Sequence, residues 1–83
     1  MQVQVRFFAS LREALGVSQQ AVDTAAATVG QLRDELMARG EPWASALARG
    51  QSLRMSVNQV MVNEDAPLAD GAEVAFFPPV TGG

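Results

Sequence analysis

The sequence contains no cysteine, no histidine and no lysine, and each absence excludes a class of chemistry. Without cysteine the chain has no disulfide and no thiol nucleophile, and without histidine it lacks the usual general base at neutral pH. The same two absences remove the common zinc ligands, so we expect no metal site. Without lysine, the chain offers no side-chain amine for chain-forming modification. Catalysis by its own side chains is therefore not expected.

Charged residues and long apolar runs are also scarce. The chain has a net charge of -3, and its six arginines are scattered, which argues against a nucleic-acid partner. No apolar stretch approaches the roughly 20 residues that span a bilayer, and no signal segment opens the chain, so we expect a cytoplasmic protein without a membrane partner. Apolar residues nevertheless make up 48% of the sequence, enough to build the core of one small domain.

The spacing of the apolar residues predicts an α+β fold. Residues 2–8 and 73–77 alternate between two faces, which is typical of half-buried strands. Between them, Thr28-x-x-Gln31 is a capping box that opens a helical pattern reaching Gly40, and this predicts the main helix. Shorter patterns predict further elements, namely helices beginning near Ser10 and Pro42 and strands at 19–23, 53–57 and 60–62.

The first and last strands must be parallel if they pair, because a long crossover containing the main helix separates them. This arrangement is a ubiquitin-like β-grasp fold, with a mixed sheet of four to five strands, one main helix packed on one face and short additional helices. We predict a β-grasp domain over residues 1–77, followed by an extended C-terminal tail over residues 78–83.

The tail is the segment that offers chemistry. Pro78 and Pro79 follow a strand and stiffen the exit, and six extended residues reach roughly 20 Å at about 3.3 Å each. Gly82 and Gly83 place no β-carbon beside the terminal carboxylate, so a partner's narrow channel can close around them while a nucleophile reaches the carbonyl carbon. The alternative is a plain interaction domain with a frayed end. Since the rest of the chain offers no reactive group, we favour a reactive tail.

Phenylalanine doublets close the predicted first and last strands, and strand alternation sends adjacent side chains to opposite faces of the sheet. Phe8 and Phe77 are the predicted outward pair. They form either a second small cluster covered by loops or an exposed patch. An exposed patch, rimmed by Arg12 and Met61, would be a docking surface.

Two further features have simple structural interpretations. Trp43 lies next to Pro42 and four residues before Leu47, which predicts packing at the start of a short helix. Glu64 and Asp65 lack the regular ligand spacing of a calcium loop, so we interpret them as solvated loop side chains.

The ending from Val74 to Gly83 resembles the C-terminal signature of the small subunits of molybdopterin synthase. Segments 4–9, 11–13, 57–59 and 67–71 resemble the opening and middle of that family. The resemblance implies a sulfur carrier whose Gly83 carboxylate is adenylated by a ubiquitin-activating-like adenylyltransferase that uses ATP. A sulfurtransferase would then supply the sulfur of a thiocarboxylate, and the carrier itself would bind no cofactor.

The same resemblance implies how the sulfur is delivered. The tail would enter the large subunit, which holds the catalytic side chains, in a heterotetramer of two small and two large subunits. Gly83 would donate sulfur to cyclic pyranopterin monophosphate to form the dithiolene of molybdopterin. Val80, Thr81 and Gly82 would be the tail residues that pass through the channel of the large subunit. The residues implied to hold the partner are Phe77, Phe8, Arg12, Met61 and Pro78.

Two other functions stay open at this point. Sulfur carriers of the thiamin pathway share the fold and the Gly-Gly ending. A ubiquitin-like modifier would instead join Gly83 to lysines of target proteins.

Overall fold

The computed structural model describes residues 1–79, which form one five-stranded sheet with three helices. Their order along the chain is the predicted one. The elements are β1 (Gln2–Phe7), α1 (Ser10–Leu15), β2 (Gln19–Asp23), α2 (Val29–Met37), α3 (Trp43–Ala46), β3 (Arg54–Val57), β4 (Val60–Val62) and β5 (Glu73–Phe77).

The two strands from the ends of the described chain are neighbours in the middle of the sheet. The strand order is β2-β1-β5-β3-β4. β1 and β5 run parallel, with Val5 opposite Val74 and Phe7 opposite Phe76, whereas the other pairings are antiparallel. The crossover between the parallel strands contains α2, as a parallel connection requires. This mixed sheet confirms the predicted β-grasp fold.

The start of α2 follows the predicted capping pattern. The Thr28 hydroxyl accepts a hydrogen bond from the N–H of Gln31 at 3.2 Å. The Gln31 side chain in turn accepts from the N–H of Ala27 at 2.8 Å, one residue earlier than in the usual capping box. The helix ends at Met37 and not at Gly40, because the last turn tightens and the N–H of Gly40 bonds to the carbonyl of Met37 at 3.2 Å.

One core lies between α2 and the sheet. From the helix it contains Leu32 and Leu36, which are 0% and 1% exposed. From the central strands it contains Phe7 and Phe76, whose rings stack with centroids 6.0 Å apart. Trp43 packs edge-on against Phe7 at 5.5 Å, which confirms its predicted place at the start of a short helix.

Truncation of either helix leucine should destabilise the domain strongly. We expect Leu32→Ala and Leu36→Ala each to lower the free energy of unfolding by about 2 to 5 kcal/mol, because each leaves a cavity in a filled core. Val60→Ala is the control, since Val60 is 64% exposed on β4. Denaturant titration of the three variants measures this, and losses below about 0.5 kcal/mol for both leucines would contradict the assigned core.

Candidate functional site

The face of the sheet opposite α2 carries Phe8 and Phe77 as a stacked pair. Their ring centroids are 4.8 Å apart with an interplanar angle of 7°, and both side chains are half-buried. Phe8 lies one residue beyond β1, where its N–H donates to the carbonyl of Phe76 at 3.3 Å. The two doublets therefore divide between the faces as strand alternation predicts, with Phe7 and Phe76 on the core side.

The stacked pair borders a shallow groove of about 170 Å³ on the open sheet face. Met61 lines the groove and is 54% exposed, so this face is not enclosed by loops of the described chain. Of the two predicted arrangements, the structure therefore matches the exposed patch and not the cluster covered by loops. The residues that line the groove are Arg6, Phe8, Ser56, Gln59, Met61, Glu73, Ala75 and Phe77.

The cation beside the stacked pair is Arg6, which the sequence analysis did not select. Its guanidinium carbon lies 5.2 Å from the centroid of the Phe8 ring, and its Nη1 lies 3.4 Å from the Glu73 carboxylate. The predicted cation, Arg12, is exposed on α1 and does not line the groove. Strand alternation was the signal that could have identified Arg6, because residues two apart on a strand share a face.

The chain leaves β5 at a separate cleft. Pro78 is half-buried and lines this cleft of about 170 Å³, and Pro79 lines it with an exposed side chain. Pro78, which we predicted to bind the partner, therefore lines this cleft and not the groove. The other lining residues come from α1, α3 and the segment before β3: Ser10, Leu11, Ala14, Ala46, Gln51 and Leu53.

The predicted reactive part of the tail, 80–83, lies outside the described residues. The roles of Gly83, Gly82, Thr81 and Val80 therefore stay predictions. The last regular element that the structure places before them is β5, which ends at Phe77.

A buried arginine, which the sequence analysis also missed, supports the region behind the cleft. Arg33 on α2 is 3% exposed, and its Nε donates to the carbonyl of Leu47 at 2.7 Å. Its Nη2 donates to the carbonyls of Ala48 at 2.8 Å and Gln51 at 3.4 Å. Burial lowers the pKa of the Arg33 guanidinium, and the nearby Glu64 carboxylate opposes that shift.

Glu64 is not the solvated loop side chain that its sequence position suggested. Its carboxylate lies 3.5 Å from Nη1 of Arg33 and accepts from Nη2 of Arg49 at 2.6 Å. Arg49 also pairs with Asp34, and hydrogen bonds to the two carboxylates raise the pKa of its guanidinium. This network joins α2 to the loops before β3 and after β4.

Gly30 lets the Glu64 loop approach α2 closely. Its N–H donates to the Glu64 carbonyl at 2.9 Å, and a β-carbon on Gly30 would lie 2.9 Å from Oε1 and 3.2 Å from the carbonyl oxygen of Glu64. Such distances leave no room for a methyl group unless the loop moves.

We therefore expect Gly30→Ala to destabilise the domain by about 1 to 3 kcal/mol through overpacking. An exposed helical glycine would show the opposite sign, since alanine favours a helix by about 1 kcal/mol. Gly50→Ala is the control, because no atom lies within 4 Å of the β-carbon position at Gly50. Thermal or denaturant unfolding compares the two, and a stabilised Gly30→Ala would show that the loop yields without cost.

Residues 1–79 contain neither a membrane-spanning helix nor a cluster of metal-ligating side chains. Within that range, no helix has the length and apolar character needed to cross a bilayer. Nor do any three or more carboxylate side chains there gather closely enough to hold a metal ion.

Residues 5–83 match the model of the ThiS family. The chain is 48% identical over 81 residues to the molybdopterin synthase sulfur carrier subunit of Escherichia coli (strain K12). That alignment covers 98% of this chain and 99% of the other. The similarity therefore includes the domain and the Gly-Gly ending together.

Two solved structures are similar over their whole length. SAMP1 of Haloferax volcanii superposes with a TM-score of 0.78 at 28% identity, with 100% of both chains covered. The second is a chain from the complex of subunits 1 and 2 of the molybdopterin-converting factor from Helicobacter pylori 26695. It gives a TM-score of 0.69 at 28% identity, again with 100% of both chains covered.

Proposed function

This chain belongs to the ThiS family, and we propose that it is the sulfur carrier subunit of a molybdopterin synthase. The observation that carries the proposal is the 48% identity to a protein of that name along almost the whole of both chains. The family match also runs through Gly83, the residue that would carry the sulfur. A strand that ends at Phe77, just before the tail, suits the delivery of a terminal group.

The proposed chemistry takes place at the Gly83 carboxylate. A carboxylate is a poor electrophile, so an adenylyltransferase first joins it to the AMP part of ATP and releases pyrophosphate. A persulfide on a sulfurtransferase then attacks the carbonyl carbon, and the bond to AMP breaks. A thiol reduces the S–S bond of the resulting acyl disulfide, which releases the thiocarboxylate and leaves a disulfide. Its sulfur is a soft nucleophile at neutral pH, and it attacks a carbon of the cyclic pyranopterin monophosphate, where a C–S bond forms as a C–O bond of that carbon breaks and its oxygen leaves. Water then cleaves the acyl–sulfur bond, which leaves sulfur on the product and restores the carboxylate.

In this proposal the carrier is a donor and not an enzyme on its own. The chain has no cysteine or histidine to act as nucleophile or neutral-pH base, so the catalytic side chains lie in the large subunit. A dithiolene needs two sulfurs, so the carrier must leave and be recharged, or a second copy must act. That requirement favours a separable interface within a heterotetramer of two small and two large subunits. We place these steps in the cytoplasm.

The groove beside the stacked pair is the proposed docking face for the large subunit and the adenylyltransferase. Phe8, Phe77 and Met61 offer partly exposed apolar surface, and Arg6 adds a cation next to it. Partly exposed aromatic, methionine and arginine side chains are those that protein interfaces favour. The H. pylori complex supports the existence of such a pairing for a related chain. Arg12 and Pro78 would make flanking contacts outside the groove.

A ubiquitin-like modifier is the second candidate. It is favoured by the TM-score of 0.78 to SAMP1, a small archaeal modifier protein. A modifier would leave a glycine remnant on lysines of target proteins, whereas a carrier leaves its targets unmodified. A thiamin-type carrier would form the same thiocarboxylate but would not pass sulfur to the pyranopterin precursor.

Intact-mass analysis tests the proposal. The purified chain is incubated with ATP, the adenylyltransferase and a sulfurtransferase, and we expect the mass gain of one oxygen replaced by sulfur. The charged carrier is then mixed with the large subunit and the cyclic pyranopterin monophosphate, and we expect molybdopterin to form. Thiocarboxylate without molybdopterin would favour the thiamin-type carrier, and an unchanged mass would overturn both.

A further inference from the structure

The segment between α3 and β3, residues 47–53, is neither helix nor strand, although it forms one wall of the cleft at the tail exit. Gln51 and Leu53 line the cleft together with Pro78 and Pro79, and α1 forms the opposite wall. A segment without a regular hydrogen-bonding ladder is held by the groups that satisfy its carbonyls. The position of this wall therefore depends on contacts made behind it.

Those contacts come largely from the guanidinium of Arg33. It donates to the carbonyl oxygens of Leu47, Ala48 and Gln51, all in the same irregular segment. A planar guanidinium with five N–H groups can serve several acceptors at once, which a single ammonium cannot do. The carbonyls of Ala48 and Gln51 also accept from the N–H groups of Gln51 at 2.9 Å and Leu53 at 2.8 Å. The carbonyl of Leu47 depends on the buried Nε of Arg33, so loss of that bond leaves a shielded acceptor.

The arginine is itself held from the other side. Glu64 lies against Nη1 of Arg33, and Arg49 fixes Glu64 and Asp34. These contacts limit the freedom of the Arg33 side chain, so the wall of the cleft is tied to α2 and through it to the core.

We propose that Arg33 is a positioning residue for the tail. Leu53 and Pro78 directly flank the register partners Arg54 and Phe77, and both line the cleft. By holding residues 47–53, Arg33 therefore holds the wall beside which the chain leaves β5, and so it sets the direction of the tail. The consequence for transfer rests on the proposed function, because a misdirected tail presents its terminal group in the wrong place. A displacement of about 1 Å at a reacting atom can cost roughly a hundredfold in rate.

The test uses the variant Arg33→Lys in the full chain. Lysine keeps the positive charge but lacks the planar set of N–H donors that serves several carbonyls at once. The parent should show nuclear Overhauser contacts between Pro78 and Leu53, which flank the register partners Phe77 and Arg54. We expect these proline contacts to disappear in the variant, while those between Phe7 and Phe76 remain. With the adenylyltransferase, ATP and sulfurtransferase, we expect kcat for thiocarboxylate formation to fall about tenfold or more. KM should stay near the parent value, because the docking groove contains no residue of this network.

The matched control is Val22→Ala on the edge strand β2. Val22 is buried, so the variant lowers the melting temperature, but β2 contributes no residue to the lining of the cleft. We expect it to keep the proline contacts and the parent kcat at temperatures where it is folded. A loss of kcat in Val22→Ala equal to that in Arg33→Lys would assign the effect to stability and overturn the proposal.

If Arg33→Lys does not fold, Gln51→Gly replaces it, because it loosens the same wall at an exposed position. Retained proline contacts in the folded variant would overturn the proposal whatever the rate. Lost contacts at the full parental rate would show that the direction of the tail does not limit transfer, and would overturn the role of Arg33 as a positioning residue. The proline contacts are measured without any partner, so failure of the parent to form a thiocarboxylate would reject the proposed function alone.

Discussion

Removal of Gly83, or addition of one residue after it, is expected to abolish sulfur transfer without lowering stability. In the proposed mechanism the reacting atom is the terminal carbonyl carbon, so the number of residues after the end of β5 at Phe77 determines how far it can reach. One residue changes that reach by about 3.3 Å. A misplacement of about 1 Å already costs around a hundredfold, so either change should reduce transfer below detection.

Dithiolene formation from the pyranopterin precursor measures this loss, and thermal melting measures stability. Neither change alters a residue within 1–79, so both variants should melt with the parent and still bind the large subunit. Thr81→Ser keeps the tail length and the terminal carboxylate, and it should transfer sulfur at close to the parental rate. A shortened chain that still made molybdopterin near that rate would show that the terminus is not the donor.

Replacement of Phe76 or Phe77 by aspartate should have different effects, since the first change should abolish folding and the second should weaken partner binding. Phe76 is completely buried and stacks against Phe7, so Phe76→Asp places an unpaired carboxylate in the core. That burial costs several kcal/mol, which is comparable with the whole stability of a domain of this size. We expect Phe76→Asp to be unfolded.

Phe77→Asp changes the half-buried face and loses the stacking with Phe8, which is worth about 0.5 to 1.5 kcal/mol. The domain should stay folded, while binding to the large subunit and the adenylyltransferase should weaken by about tenfold or more, as for loss of an aromatic anchor. Circular dichroism reports the fold, and a binding titration of the folded variant reports the docking. An unfolded Phe77→Asp beside a folded Phe76→Asp would reverse the assignment of the faces.

The alternation of β1 and β5 was predictable because it depends on neighbours in sequence. Residues two apart on a strand share a face, so the outward position of Phe8 and Phe77 follows from their numbers alone. The helix start at Thr28 was equally local, since the N–H that its side chain caps lies three residues away. The end of α2 was harder to predict from the sequence, because the tightened turn before Gly40 has no distinct sequence signal.

The choice of Arg12 as the cation beside Phe8 shows where sequence reasoning failed. Arg6 is two residues from Phe8 and Arg12 is four, so both the distance along the chain and strand alternation favoured Arg6. The path of the chain after β1 carries Arg12 onto α1 and away from the groove. Arg6 remains on the strand, where its guanidinium covers the Phe8 ring.

The sequence by itself determined the order of the elements, the alternation that divides the phenylalanine doublets, and the Gly-Gly ending that the family shares. Each of these depends on residue type and local spacing. Only the tertiary structure decided that Arg33 is buried and that Glu64 pairs with it, because the partners are carbonyls and charges from distant segments. It also separated the docking groove from the cleft at Pro78, since the outer sheet face forms one and the packing of α1, α3 and residues 47–53 forms the other.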